Sequence, residues 1–203
     1  MGRRPYVVGL TGNIATGKSV VGKMLAQLGA EHIDADRLAH QVMAHGRPAW
    51  RQIVAAFGDE VLLPGGDLDR RKLGAIVFAD PGALARLEGF VHPEVIALTE
   101  ERVAASAASV VVIEAIKLIE SGMVARICDA LWVVTAPRKV QIARLIAQRG
   151  HRYQDAVLRI DAQPPQAAKA ARADVVIDNS GTIEETQRQV ERAWAAIGIG
   201  RGC

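Results

Sequence analysis

The sequence predicts an α/β fold: a doubly wound, parallel, five-stranded sheet that carries a helical insertion and a helical lid. Three observations point there. Short β-branched apolar runs at Tyr6–Leu10, Ser109–Ile113, Ala130–Val134 and Asp174–Ile177 alternate with helical patterns, and a weaker run lies at Ala30–Ile33. Strands apolar at nearly every position are buried on both faces, the habit of parallel sheets. The first run passes through a glycine-bearing loop directly into a helical pattern that opens near Lys18. In such sheets ligands bind beyond the carboxyl ends of the strands, so functional side chains are sought there.

Taken in order, the first strand leads to Gly12-Asn13-Ile14-Ala15-Thr16-Gly17-Lys18-Ser19, which satisfies the phosphate-loop pattern G-x-x-x-x-G-K-[ST]. Glycines let the backbone curl so that successive N–H groups and the next helix N-terminus point at one anion. In this pattern the lysine reaches the β- and γ-phosphates and the serine hydroxyl ligates Mg²⁺. Asn13 and Ala15 are the non-glycine loop positions that matter. Asn tolerates left-handed backbone angles, whereas Ala15 is more constrained if its φ is positive.

Asp34-Ala35-Asp36 follows the second strand. In extended conformation both carboxylates would point the same way, fit to hold Mg²⁺ and to accept a proton from an attacking hydroxyl. The other reading is that one of them caps a helix starting near Arg37. From there to Ser109 the pattern is helical, with turn residues at Gly46-Arg47-Pro48, Leu63-Pro64-Gly65-Gly66-Asp67 and Asp80-Pro81-Gly82. So long a stretch without a strand reads as an inserted helical domain for a second substrate. Within it, Arg70-Arg71-Lys72 is either an anion site or a solvated helix start behind Asp67 and Asp69. His92 precedes Pro93, which should kink or bound its helix.

Glu114 ends the third strand, and Lys117 interrupts the apolar run after it, either contacting a ligand phosphate or snorkelling to solvent. Arg138 to Arg172 is basic and helical, broken at Gly150-His151 and Pro164-Pro165. Arg138, Lys139, Arg144, Arg149, His151, Arg152 and Arg159 form either a solvated face or a cationic lid over a migrating phosphate. A last helix is expected over Thr182–Ile197. The division that follows is a core of 1–34, 108–137 and 173–203, an acceptor-binding insertion of about 35–107, and a lid of about 138–172.

Composition narrows the function class. The chain has 203 residues, 50% apolar and 23% charged, which suits an ordinary globular protein. The net charge of +3 comes without any Lys/Arg block interleaved with aromatics, so a nucleic-acid partner is not expected. Met1-Gly2-Arg3-Arg4 opens like a basic leader, but no apolar segment follows, and Tyr6 breaks the myristoylation pattern. No run is long enough to span a membrane. Cys128 and Cys203 show no metal or disulfide spacing, and Cys128 reads as a small core residue. A cytoplasmic protein is expected, as a monomer or a small homo-oligomer.

The chain resembles the dephospho-coenzyme A kinase family of P-loop kinases. The resemblance runs through Gly9-Leu10-Thr11-Gly12, Ile33-Asp34-Ala35-Asp36, Leu68-Asp69-Arg70 with Leu73 and Val77-Phe78, and Leu87-Glu88 before His92-Pro93. It continues through Gln141, Arg144-Leu145, Arg159-Ile160 and Gln163, then Ala173-Asp174 and Ile177-Asp178-Asn179. It implies transfer of the ATP γ-phosphate to the ribose 3′-hydroxyl of dephospho-coenzyme A, with Mg²⁺ as the cofactor. On this mapping Asp34 is the base, Arg70 and His92 lie in the acceptor site, Arg144 faces the phosphates, and Asn179 belongs to the ATP site. Ser19 would hold the metal, with Asp36 or Glu114 beside it.

Two departures stand out. Where the family usually has an acid and then Val-Pro-Leu-Leu, this chain has Glu114-Ala115-Ile116-Lys117-Leu118. In place of the lid's usual Arg-Leu-x-x-Arg it has Arg144-Leu145-Ile146-Ala147-Gln148, with Arg149 one place later, a 100° step around a helix. Another small-molecule kinase and a non-catalytic nucleotide-binding module are the alternatives.

Overall fold

The computed structural model describes residues 4–198, so Met1–Arg3 and Cys203 lie outside the described residues. In chain order the elements open with β1 (Tyr6–Thr11), α1 (Lys18–Gln27), β2 (Glu31–Asp34), α2 (Ala35–Val42) and α3 (Pro48–Phe57). A 3₁₀ turn (Asp59–Val61), α4 (Arg70–Ala79), α5 (Pro81–Ala105), β3 (Val110–Glu114) and α6 (Met123–Ile127) follow. The chain continues with β4 (Ala130–Thr135), α7 (Arg138–Arg149), α8 (Tyr153–Asp161), α9 (Gln166–Ala170), β5 (Val175–Asp178) and α10 (Ile183–Ala196).

All five strands pair in parallel in the order β2-β3-β1-β4-β5. The predicted strands are present, each running one residue further at its carboxyl end. Alternation along the strands splits the core in two. Val8 and Leu10 of β1, Val110 and Val112 of β3, Trp132 and Val134 of β4 and Ile177 of β5 pack with Val21 and Leu25 of α1 and Val190 of α10. Trp132 is the largest fully buried side chain, and truncating it to alanine would cost about 3–5 kcal/mol. On the opposite face Gly9 leaves no room for a side chain, since a Cβ there would stand 2.7 Å from Leu118 Cδ2 and 2.8 Å from Cys128 Sγ.

α10 begins where its sequence directs. Thr182 caps it and Glu185 answers in a full capping box, satisfying two helix-end donors at once. The register of the sheet brings the strand ends level: Asp34 lies opposite Glu114, and Glu114 opposite Leu10.

The chain divides into two compact units, residues 1–34 with 103–203, and residues 35–102. In the helical unit α3 packs against α2 and against the 3₁₀ turn, which also receives α4. Leu38, Ile53, Phe57, Val61, Leu73 and Val77 are buried there. The Trp50 indole stacks on His45 with ring centroids 4.6 Å apart and donates to the Gly66 carbonyl at 3.0 Å. Asp69 caps α4 by accepting from the backbone N–H groups of Arg71 and Lys72, both at 3.0 Å.

Two sequence expectations need correction. Helix α2 starts at Ala35, immediately after β2 ends. Asp34 and Asp36 therefore do not share an extended segment, and the argument that placed them on one side fails; Asp36 lies in the first turn of a helix. Pro93 does not bound a helix either, because α5 continues through it from Pro81 to Ala105. A proline inside a helix removes one backbone hydrogen bond and crowds the carbonyl four residues back, at about 3 kcal/mol, and the buried apolar positions on either side, Val91, Val95 and Ile96, offset that and hold the helix together.

Candidate active site

The loop from Gly12 to Ser19 turns on three unusual backbone positions. Gly12 has φ +156° and Gly17 has φ +99°, and a Cβ on Gly12 would stand 2.4 Å from the Val134 carbonyl oxygen. Ala15 has φ +58°, a left-handed conformation that costs a non-glycine residue about 1–2 kcal/mol. The tertiary structure holds it there. Ala15 and Ile14 pack on a small core formed by Leu145 of α7 with Ala156 and Ile160 of α8.

Hydrogen bonds from three directions fix the loop. From inside it, Thr16 Oγ1 donates to the Asn13 carbonyl at 2.9 Å, and Lys18 Nζ donates to the carbonyls of Gly12 at 2.9 Å and Asn13 at 3.3 Å. From the segment after α8, Gln163 Oε1 accepts from the Ile14 N–H at 2.7 Å, while Asn13 Nδ2 donates to the Pro164 carbonyl at 2.9 Å. From beyond β5, Asn179 Nδ2 donates to the Thr16 carbonyl at 2.8 Å, and Thr186 Oγ1 donates back to Asn179 Oδ1 at 2.9 Å. Asn13 Oδ1 is buried with no partner among the described residues.

Arg144 joins these parts. Its guanidinium donates to the carbonyls of Ala15 at 3.3 Å, Thr16 at 3.1 Å and Asn179 at 2.8 Å. A planar, five-donor fork can serve three acceptors at once, which an ammonium cannot do in the same geometry. A cavity of about 340 Å³ opens beside it, lined by Gly17, Lys18, Ser19, Arg144, Arg149 and Asn179 among others. Lys18, Arg144 and Arg149 give it three cationic side chains facing a helix N-terminus. Such a site suits a polyanion. Arg149 lines this cavity despite its shift of one place, as the last residue of α7 before Gly150 turns the chain with φ +65°.

At the adjoining strand end a carboxylate is gripped at both oxygens. Ser19 Oγ donates to Glu114 Oε1 at 2.8 Å, and His32 Nε2 lies 3.0 Å from Glu114 Oε2. Burial would push the Glu114 carboxyl up, but the hydrogen bonds from His32 and Ser19 and the charges of His32 and Lys18 outweigh it and hold the pKa below the usual range. Glu114 is therefore ionised at neutral pH. A hydroxyl and a carboxylate are hard oxygen donors of the kind Mg²⁺ takes, and Mg²⁺ is usually bound by one or two protein groups together with substrate phosphates. The residues present fit that ion. Among the described residues no group of three or more His, Cys, Asp or Glu side chains forms a protein-only metal cage.

The site residues expected from the sequence fall into two groups. The loop residues, Ser19 with Glu114, and Arg144, Arg149 and Asn179 converge at the carboxyl edge of the sheet, where half-buried Asp34 ends β2. Lys117 is exposed in the turns after β3. Asp36, Arg70 and His92 belong to the helical unit. There Asp36 is exposed on α2, Arg70 opens α4 and donates to the His40 carbonyl at 3.3 Å, and His92 is half-buried on α5. Sequence reasoning missed His32. Its signal was a polar ring two residues before Asp34 on a strand, where alternation puts both side chains on one face. It also missed Lys169, a buried lysine of α9 whose Nζ donates to the Ile116 carbonyl at 2.6 Å and lies 3.3 Å from Glu120 Oε1. In the sequence that lysine looks like part of a solvated face.

Comparison with known proteins gives a consistent picture. A family model described as dephospho-CoA kinase matches residues 6–185. A dephospho-CoA kinase of Geobacter sulfurreducens is 47% identical over 192 residues, covering 93% of this chain and 97% of the relative. One of Streptomyces avermitilis is 46% identical over 190 residues, covering 94% of this chain and 93% of the relative. Among solved structures, a Thermus thermophilus protein is 33% identical with a TM-score of 0.84, covering 96% of this chain and 99% of its own. A dephospho-CoA kinase from Campylobacter jejuni is 25% identical with a TM-score of 0.69, covering 97% and 98%. A shikimate kinase from Bacteroides thetaiotaomicron, 14% identical with a TM-score of 0.57 over 96% of this chain and 99% of its own, shares the fold.

Proposed function

The chain belongs to the dephospho-CoA kinase family, and on that premise we propose how its residues carry the γ-phosphate of ATP to the ribose 3′-hydroxyl of dephospho-CoA. One observation supports the reading above the others. Three cations, a helix N-terminus and an ionised carboxylate–hydroxyl pair converge at the sheet edge that Asp34 also occupies.

Phosphoryl transfer leaves little covalent work for a protein; positioning and electrostatic stabilisation do most of it. The loop N–H groups cradle the β-phosphate. Lys18 exchanges its bonds to the Gly12 and Asn13 carbonyls for the oxygens between β- and γ-phosphates, where negative charge builds up. Arg144 keeps the loop in shape through its three carbonyls and presents its remaining charge to the phosphates, with Arg149 as the second lid cation. Ser19 and Glu114 would hold Mg²⁺, and Asp36 is the further acid that the sequence offers for it; when bound, the ion would supply positive charge against the phosphates. Asp34 orients the 3′-hydroxyl and takes its proton as the new phosphorus–oxygen bond forms and the bond from the γ-phosphorus to the β,γ-bridging oxygen breaks, releasing ADP. Arg70 and His92 bind the acceptor, and Lys117 contacts one of its phosphates. The lid of residues 138–172 excludes water, so that ATP is not simply hydrolysed.

A coupled assay for ADP release tests this reading. Release that depends on dephospho-CoA is the expected result. Release only with another alcohol, or none with any acceptor, would overturn the acceptor or the catalytic assignment respectively.

A further inference from the structure

Glu114 meets Ser19, a lining residue of the cavity, on a long side chain that could swing away, yet both its oxygens are held. Ser19 Oγ takes Oε1 at 2.8 Å, and His32 Nε2 takes Oε2 at 3.0 Å. The imidazole fits because α1 leaves a gap for it. A Cβ on Gly22 would stand 2.8 Å from both Cε1 and Nε2 of His32 and 3.3 Å from Glu114 Oε2. Three elements thus meet around one carboxylate: α1 with Ser19 and Gly22, β2 with His32, and β3 with Glu114. His32 is half-buried and Glu114 buried, so few water molecules compete for this bond.

We propose that His32 is a positioning residue for the divalent cation of the bound nucleotide, acting through Glu114. Without the imidazole, the free Oε2 lets the carboxylate rotate out of the plane that presents it beside the Ser19 hydroxyl. The cavity that would take the nucleotide is lined by loop residues with Arg144 and Arg149, and His32 is not among its lining residues. Losing the ring should therefore weaken what the cation adds to nucleotide binding and leave the cation-free part intact. Groups that orient a metal-holding side chain typically contribute 10–100-fold to metal affinity or activity. This inference rests on the reading of Ser19 and Glu114 as the magnesium-holding pair.

The test is calorimetric. ATP binding to the folded enzyme is measured in EDTA and again in excess Mg²⁺, for the unchanged chain and for His32→Ala, His32→Gln and His32→Asn. In EDTA all four are expected to agree within about twofold. In Mg²⁺ the gain in affinity should fall roughly tenfold or more for His32→Ala. His32→Gln can still donate to Oε2 and should recover most of that gain; His32→Asn is too short and should not. The Mg²⁺ concentration for half-maximal turnover should rise in the same order. If His32→Ala does not fold, the Gln and Asn pair decides the matter alone. An unchanged Mg²⁺ gain in His32→Ala, or an equal loss with and without Mg²⁺, would overturn the proposal. So would Gln and Asn behaving alike. Failure of the underlying reading looks different: the unchanged chain would then show no Mg²⁺ gain at all.

Discussion

Asn179 Nδ2 lies 2.0 Å from the point where a Cβ on Gly17 would stand. That amide donates to the Thr16 carbonyl while its oxygen accepts from Thr186, so it cannot turn aside without breaking a bond. Gly17 also has φ +99°. Gly17→Ala therefore incurs a backbone strain of about 1–3 kcal/mol and the loss of an Asn179 hydrogen bond worth about 1 kcal/mol. The melting temperature should fall by roughly 5–15 °C, at about 2–4 °C per kcal/mol for a chain this long, and ATP binding should be lost. Adding Asn179→Ala removes the clash but not the strain. The double variant should then be less destabilised than the sum of the singles, and strict additivity in thermal melts would show that the contact is not the cause.

Asp34 and Lys18 predict different kinetic signatures. Asp34→Asn keeps the shape and removes the base, so kcat should fall about 10²–10⁴-fold while ATP affinity by calorimetry stays within a few-fold. Near-normal turnover in this variant would remove Asp34 from its role. Lys18→Ala should abolish phosphoryl transfer in a protein that still folds, because the phosphate-loop lysine is the residue that reaches the β- and γ-phosphates in this motif. Circular dichroism and the ADP assay together separate that result from simple misfolding.

Arg144 is predicted to resist conservative replacement. Its guanidinium serves the Ala15, Thr16 and Asn179 carbonyls from one plane, and an ammonium on a shorter fork-less stem cannot reproduce that set. Arg144→Lys should lose most of the activity that Arg144→Ala loses, with KM for ATP raised in both. Arg138 offers the contrast. It pairs with Asp161 on the exposed surface, and exposed pairs contribute little, so Arg138→Ala should leave kcat and KM within about twofold. A lysine at 144 that restored normal kinetics would show that charge alone is needed there.

The strands were legible because four of the five are β-branched and apolar along most of their length; burial on both faces demands that of β1, β3 and β4, while β5 keeps the pattern as an edge strand with Val176 exposed. Glu31–Asp34 was the weak one because Glu31, His32 and Asp34 leave Ile33 as its one apolar residue, whereas β5, the other edge strand, keeps Val175, Val176 and Ile177. The phosphate loop was legible because its backbone needs glycine at 12 and 17 and its chemistry needs Lys18 and Ser19. The helix boundary after Asp34 was not, since α2 begins at Ala35, directly where β2 ends, and not near Arg37, and this separates two acids that looked alike. The lid charges were unreadable for a related reason. Helical phase decides which arginine turns inward, and the sequence shows Arg138, Arg144 and Arg149 only as one basic run. His32 and Lys169 were hidden because their roles depend on partners 82 and 53 residues away in sequence.

Cys128 provides a pH-dependent test away from the site. Burial, helped by the nearby charge of Asp129 and opposed by that of Arg4, pushes its thiol up to about 12. The thiolate is the reactive form, so at pH 8 alkylation of the Cys128 peptide, followed by mass spectrometry, should run roughly a thousandfold slower than for a cysteine at the ordinary value of 9.0. The sign for stability follows from the same shift. The folded state holds this proton more tightly than the unfolded chain, so the contribution is complete below about pH 9 and declines as the pH rises toward 12. Each pH unit in that window removes up to about 1.4 kcal/mol. In urea melts at pH 8 and pH 10 the native chain should lose about 1–1.5 kcal/mol more than Cys128→Ala, since every other titration is common to both. Equal losses, or rapid labelling of Cys128 at pH 8, would mean that water reaches the sulfur and that the packing of Gly9 against Cys128 and Leu118 is looser than these distances describe.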